Sequence, residues 1–240
     1  SFFILIVLTY IYVNFSNSPW GEGILYGVKA GVIAIIFSAT IKIARKVLNK
    51  YYYWLTAILA FAAINVLDAN FPLIIISAAI VGLFFYFKEN DNKNISQNSY
   101  KPSNEIYKKS IKTFLITVIL WSLGFTLILL SREDILANLS LFFSKAALVT
   151  FGGAYALLPY VFQNIIENHG WLTSQQMIDG LALGESTPGP LIMIVTYVGF
   201  IVGWYNDILG LGSPLLGAII CAAIATFFTF LPSFAFILSS

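Results

Sequence analysis

The chain has 240 residues, 59% hydrophobic and 10% charged, with a net charge of +2 and a mean hydropathy of +0.85. Soluble domains carry about 25% charged residues, so the composition excludes a soluble domain and points to a polytopic membrane protein; the small net charge gives no basis for nucleic-acid binding. One cysteine, Cys221, and one histidine, His169, exclude a disulfide framework and a Cys/His metal cluster, and no cofactor is expected.

The first apolar run, Phe2–Val13, is shorter than the ~20 residues that a spanning helix needs. There is no initiator Met and no signal peptide of the usual pattern, and the chain stops at Leu238-Ser239-Ser240 without a polar tail. These features predict a piece of a longer protein that begins part-way through a transmembrane helix, Phe2–Phe15. After the turn Asn17-Ser18-Pro19-Trp20-Gly21 come three further spans: Gly23–Ile43, Tyr52–Leu67 closed by Asp68-Ala69-Asn70, and Phe71–Phe87. Pro72 falls in the first turn of the last of these, where a missing N–H does no harm. Lys88–Lys109, rich in Asn, Lys and Ser, reads as a flexible cytoplasmic linker between two halves. Ile111–Leu130 is a fifth span, and Pro214–Leu238 closes the chain, with Pro232 expected to break its end.

The basic residues orient these spans. Ten of the thirteen Lys and Arg fall within Lys42–Lys50 or Lys88–Lys112. The two regions are separated by two spans and so lie on one side, which the positive-inside rule makes cytoplasmic.

Leu141–Trp204 is apolar yet interrupted by Lys145, Gly152-Gly153, Pro159, Asp179, Glu185 and Thr187-Pro188-Gly189-Pro190. Backbone breaks and charges at membrane depth are costly unless they line a protein-buried or watery cavity. Lys145 reads either as a snorkelling side chain or as a fixed positive charge on an anion pathway. Lys29, also early in a span and also near a glycine, is its counterpart in the first half. Gly152-Gly153 serves close helix packing or, with Pro159, a helix break beside the hydroxyl of Tyr155. Pro190 suits the first turn of a helix Pro190–Tyr205, with Thr187 or Gly189 near its cap. The N-terminus of that helix would be an anion site. Glu185, with Asp179 six residues earlier, could carry a proton if burial favours the neutral form; the alternative is an extramembrane loop with solvated carboxylates. His169, Gly170 and Trp171 read as an interfacial turn anchored by Trp171. No GxSxG, HExxH or GxGD pattern is present, so an enzyme is not expected.

Phe143–Phe151, the run GGAYALLPY (Gly152–Tyr160), Gly170-Trp171-Leu172, Asp179–Leu183, Glu185–Pro190, Val198-Gly199-Phe200 and Thr229–Phe234 together closely resemble the chromate transporter (CHR) family. Leu25–Lys29 and Phe71–Ile74 resemble the closing part of one of its repeats. The resemblance implies an all-α polytopic membrane protein, a helix bundle with broken or re-entrant helices that forms part of an inverted-repeat transporter. Residues 1–87 would be the C-terminal part of a first repeat, 88–110 the linker, and 111–240 the N-terminal part of a second. Ser1–Leu5 resembles Ser233–Ile237, as a run from inside one repeat to the matching point of the next would require.

The resemblance further implies export of chromate across the bacterial inner membrane, driven by the proton gradient, and hence chromate resistance. Sulfate has the same charge and nearly the same shape, so a sulfate-type oxyanion transporter stands beside this reading, as does a non-transporting membrane scaffold. The residues expected at the anion site, between broken helices near the midplane, are Lys145, Gly152, Gly153, Tyr155, Thr187, Gly189 and Lys29. Pro159, Pro188 and Pro190 are expected at helix breaks, and Glu185 and Asp179 at proton coupling. The expected partners are the oxyanion, protons and lipid, with a homodimer left open.

Overall fold

Apolar runs of span length fold as helices because, without water, each backbone N–H and C=O must find its partner within the segment. The computed structural model describes residues 1–16, 18–67, 71–90, 104–149, 154–206, 208 and 212–239, and these contain ten α-helices and no strand. In order they are α1 (Phe2–Phe15), α2 (Pro19–Val47), α3 (Tyr51–Leu67), α4 (Phe71–Asn90), α5 (Asn104–Leu130), α6 (Asp134–Val149), α7 (Ala154–Gln163), α8 (Ser174–Ser186), α9 (Ile194–Tyr205) and α10 (Pro214–Ser239). A π-helical turn, Asn164–Asn168, extends α7, and a 3-10 turn, Leu191–Met193, leads into α9. Within α2, α5 and α10 lie stretches long and apolar enough to cross a membrane.

The chain is an all-α membrane protein, and the helices follow the apolar runs closely. Helix α4 continues to Asn90 and α5 begins at Asn104, inside the stretch read as a linker; residues 91–103, like the turn at 68–70, lie outside the described residues. One expectation is corrected. Pro232 does not end α10, which runs through it to Ser239. A transmembrane helix tolerates proline when Ser and Thr side chains and neighbouring helices re-satisfy the freed backbone. The Ser233 hydroxyl beside the proline donates to Thr229 O at 3.5 Å, whereas the carbonyl that Pro232 leaves without its donor is that of Phe228.

One compact unit comprises residues 1–34 and 103–240, and a second comprises 35–102. In the first, α9 is the buried centre: every residue from Ile194 to Gly203 is buried, as expected of a helix that is apolar on all sides. Gly199 and Gly203 let α10 approach it closely. A Cβ at Gly199 would lie 2.5 Å from Cys221 O, and one at Gly203 would lie 2.5 Å from Gly217 O. The hydroxyls of Thr196 and Thr226 bond across the same contact at 2.8 Å. On the far side of α10, Phe228 meets Trp121 and Phe125 of α5 edge-on, and Trp121 Nε1 donates to Ser144 Oγ of α6 at 2.9 Å. Helices α1 and α8 also pack on α9. In the second unit α3 and α4 pack together, with apolar side chains such as Leu55, Leu59, Leu73 and Ile76 exposed, as lipid contact allows.

In the interrupted stretch, α8 ends at Ser186 and a 3-10 turn precedes α9, whereas the break expected at Gly152-Gly153 lies outside the described residues. Helices α6, α7, α8 and α9 have 16, 10, 13 and 12 residues, each short of the ~20 that a span requires.

Candidate functional site

The best-defined polar site forms where α1, α2, α8 and α9 meet within the first unit. Helix α8 starts at a capping box: Thr173 Oγ1 accepts from Gln176 N at 3.2 Å, and the Gln176 side chain accepts from Thr173 N at 2.9 Å. Two orphan N–H groups are thereby satisfied. This start fixes Asp179 on the buried face of α8, at 3% exposure. Lys29 approaches from α2, and its Nζ lies 2.5 Å from Asp179 Oδ1. Oδ1 is sealed from solvent and makes no directed hydrogen bond, so the lysine holds it by charge. The other oxygen, Oδ2, accepts from the Tyr12 hydroxyl of α1 at 3.0 Å.

Tyrosines build the wall behind the carboxylate. Tyr197 of α9 is fully buried, and its hydroxyl donates to Gln176 O at 2.8 Å. Its ring rests on Gly180 so closely that a Cβ there would overlap it, and it meets the Tyr12 ring edge-on with centroids 5.6 Å apart. The glycine beside Asp179 thus admits the ring that flanks the aspartate's partner. A cavity of about 440 Å³ opens onto the pair, lined by Tyr12, Ser16, Glu22, Tyr26, Lys29, Thr173, Gln175, Gln176, Asp179 and Tyr205 among others.

A carboxylate and an ammonium taken out of water are stable only when paired and hydrogen-bonded. Here the pairing is complete but minimal, with one ammonium on Oδ1 and one phenol on Oδ2. Lys29 remains one-fifth exposed toward the cavity while Asp179 is nearly sealed. The lysine is therefore the partner that a solute in the cavity can reach.

Sequence reasoning singled out both Lys29 and Asp179, but in different roles and without their contact. It missed Tyr12, Tyr197 and Gln176. Tyr12 carried a weak signal, as a phenol in an apolar helix whose hydroxyl must find a partner when buried. The π-helical turn Asn164–Asn168 was also missed.

The other expected site residues lie elsewhere. Gly152 and Gly153 lie outside the described residues, as does the side chain of Tyr155. Pro159 sits inside α7 rather than at a break. Lys145 is exposed on α6, and among the described residues no contact joins it to the Lys29–Asp179 pair. Its charge reaches His169, whose imidazole is held below its ordinary value, first by burial and then by that charge. His169 stacks on Trp171 at 4.2 Å in the turn before α8, and Gly170 supplies the positive φ of +60° that the turn needs. Glu185 is half-buried near the end of α8, with Oε1 buried and without a hydrogen-bond partner among the described residues. Six positions separate it from Asp179, which places the two acids on different faces of α8 rather than on the shared face that three or four positions would give.

Neither Thr187 nor Gly189 caps the helix that follows. Pro190 is the N-cap, extended and without a side-chain bond. The Thr187 hydroxyl instead donates back to Gly184 O at 2.8 Å, closing the end of α8. Pro188 and Gly189 are exposed, and Gly189 lies so near Ser1 that a Cβ would meet the Ser1 Cβ at 2.7 Å.

Comparison with known proteins adds the following. A family model described as Chromate transporter matches residues 1–83 and 137–240, and the two matched regions fit a repeat organisation. The chain is 30% identical to a chromate transport protein of Pseudomonas aeruginosa, over 98% of the chain and 51% of that protein. It is 26% identical to a chromate transport protein of Cupriavidus metallidurans, over 98% of the chain and 52% of that protein. A probable chromate transport protein of Synechococcus elongatus is 28% identical over 85% of the chain and 49% of its own length. The chain spans about half the length of these curated relatives. No solved structure matches.

Proposed function

The chain belongs to the chromate transporter family, and from that premise we propose that it moves chromate or a related divalent oxyanion across a bacterial inner membrane, outward and coupled to the electrochemical proton gradient. The observation that carries this reading is the Lys29–Asp179 pair, a buried carboxylate neutralised by a lysine that also faces a polar cavity. An oxyanion needs a positive group that can leave its resting partner, and a coupling proton needs a carboxylate shielded from bulk water. A scaffold would have its acids at the water interface, whereas Asp179 is sealed. Lys145, exposed on α6, is assigned to the anion's route outside this cavity, and Glu185, with its buried unpartnered oxygen, to a second proton-carrying position.

The test is chromate resistance of cells expressing the full-length protein, with membrane insertion checked in parallel. Lys29→Gln and Lys145→Ala are each expected to insert normally and to lose resistance. Full resistance in either variant removes that lysine from the route. Because sulfate shares chromate's charge and shape, transport of each anion in liposomes assigns the substrate.

A further inference from the structure

We propose that Lys29 is shared between Asp179 and the transported anion, so that the anion binds only when Asp179 takes up a proton, and the two are carried together. This inference deepens the oxyanion-transport reading and rests on it.

The two oxygens of the Asp179 carboxylate are held by different partners. Oδ2 accepts from the Tyr12 hydroxyl at 3.0 Å. Oδ1 is sealed from solvent and its contact is with Lys29 Nζ. When Lys29 swings to an anion in the cavity, Oδ1 keeps no counter-charge, and an unpaired buried carboxylate is strongly disfavoured. A proton on Oδ1 removes that penalty while Oδ2 stays bound to Tyr12. The titratable or charged groups facing this position are Tyr12 from α1, Glu22, Tyr26 and Lys29 from α2, and Tyr197 and Tyr205 from α9. Glu185 lies on another face of α8. Lys29 is thus the cation among these groups, and Glu22 adds negative charge to the cavity, so entry of a dianion is opposed by two carboxylates unless Asp179 is neutralised.

The charges then balance in a specific way. The empty site, with Lys29 positive and Asp179 negative, has a neutral pair. With Glu22 unchanged between the two states, the loaded site, with Lys29 positive, Asp179 protonated and a dianion bound, gains one net negative charge. Outward movement of the loaded state is driven by an inside-negative membrane potential acting on that one negative charge, while the proton leaves against an acid-outside pH gradient, and the empty pair returns without moving charge.

The experiment measures chromate binding to the purified full-length protein at pH values where the anion is a dianion throughout. Apparent affinity is expected to weaken by about tenfold per pH unit, with about one proton taken up per anion bound, as linkage requires when binding and protonation occur together. Asp179→Asn should bind chromate with no pH dependence and no proton uptake. Binding by the wild-type protein without pH dependence or proton uptake, or a pH slope retained in Asp179→Asn, overturns the sharing of Lys29 while leaving oxyanion binding intact. Absence of chromate binding at every pH overturns both readings. Proton uptake by the unaltered protein decides the matter should Asp179→Asn fail to fold.

Discussion

At the scale of single residues, the account depends on an asymmetry within one ion pair. Asp179 is sealed and Lys29 is partly open, so the two partners are not equivalent to mutation. Breaking a buried pair costs about 3–5 kcal/mol, because a charge is left uncompensated. Lys29→Ala leaves the more buried charge alone and should lower thermal stability more than Asp179→Asn does. Combining the two should recover most of the loss; additive losses in a melting experiment would mean that the residues do not interact. Tyr12 acts through Asp179 rather than on the anion. Tyr12→Phe takes from Asp179 Oδ2 its hydrogen-bond donor, so the pH dependence of chromate affinity should differ from that of the parent protein. A merely structural role would reduce affinity equally at all pH values. His169 gives a contrasting expectation. Burial and the Lys145 charge hold it below its ordinary value, so it is neutral above that value and should not carry the coupling proton: His169→Gln should leave proton uptake per anion unchanged. The two charged members of the site were visible in the sequence, since a lysine and an aspartate in apolar surroundings are costly and so stand out. Their pairing was not, because it joins helices distant in the chain. Tyr12 and Tyr197 were hidden by chemistry, since aromatic residues in an apolar helix are ordinary packing until their hydroxyls are placed.

At the scale of elements, the helix positions were readable because run length and apolarity are strong signals once composition has identified a membrane protein. Prolines were the weak point. Pro159 and Pro232 both sit within helices, because in a membrane the backbone has no water to turn to and the helix is kept. Pro190 does mark a boundary, but as the cap itself, which leaves Thr187 free to bond back to α8. The helix N-terminus expected to hold the anion is thus a 3-10 turn with Gly189 beside it lying against Ser1. The core contact of α9 with α10 supplies a direct test of the fold. Gly203→Val would drive side-chain atoms into the Gly217 carbonyl and Ala218 backbone, and overpacking of this kind costs about 1–3 kcal/mol. The variant should melt at lower temperature than the parent in detergent; an unchanged melt would contradict the close approach.

At the scale of the whole molecule, composition and helix content agree on an all-α membrane protein, and the two-region match places the chain in the chromate transporter family; the proposed site would add a means of coupling. The charge distribution predicts which ends face the cytoplasm. In a Cys221→Ser background, a cysteine at Asn49 should resist an impermeant reagent applied from outside, and one at Ser18 should react; the reverse pattern would invert the orientation. The central claim is that this chain's Lys29–Asp179 pair couples an oxyanion to a proton. The most direct measurement follows chromate and proton movement together in liposomes containing the full-length protein, with an imposed membrane potential. The account predicts that the wild-type protein moves both in the same direction and that Lys29→Gln moves neither. Chromate movement undiminished in Lys29→Gln, or chromate moving with no accompanying proton in the wild type, would contradict it.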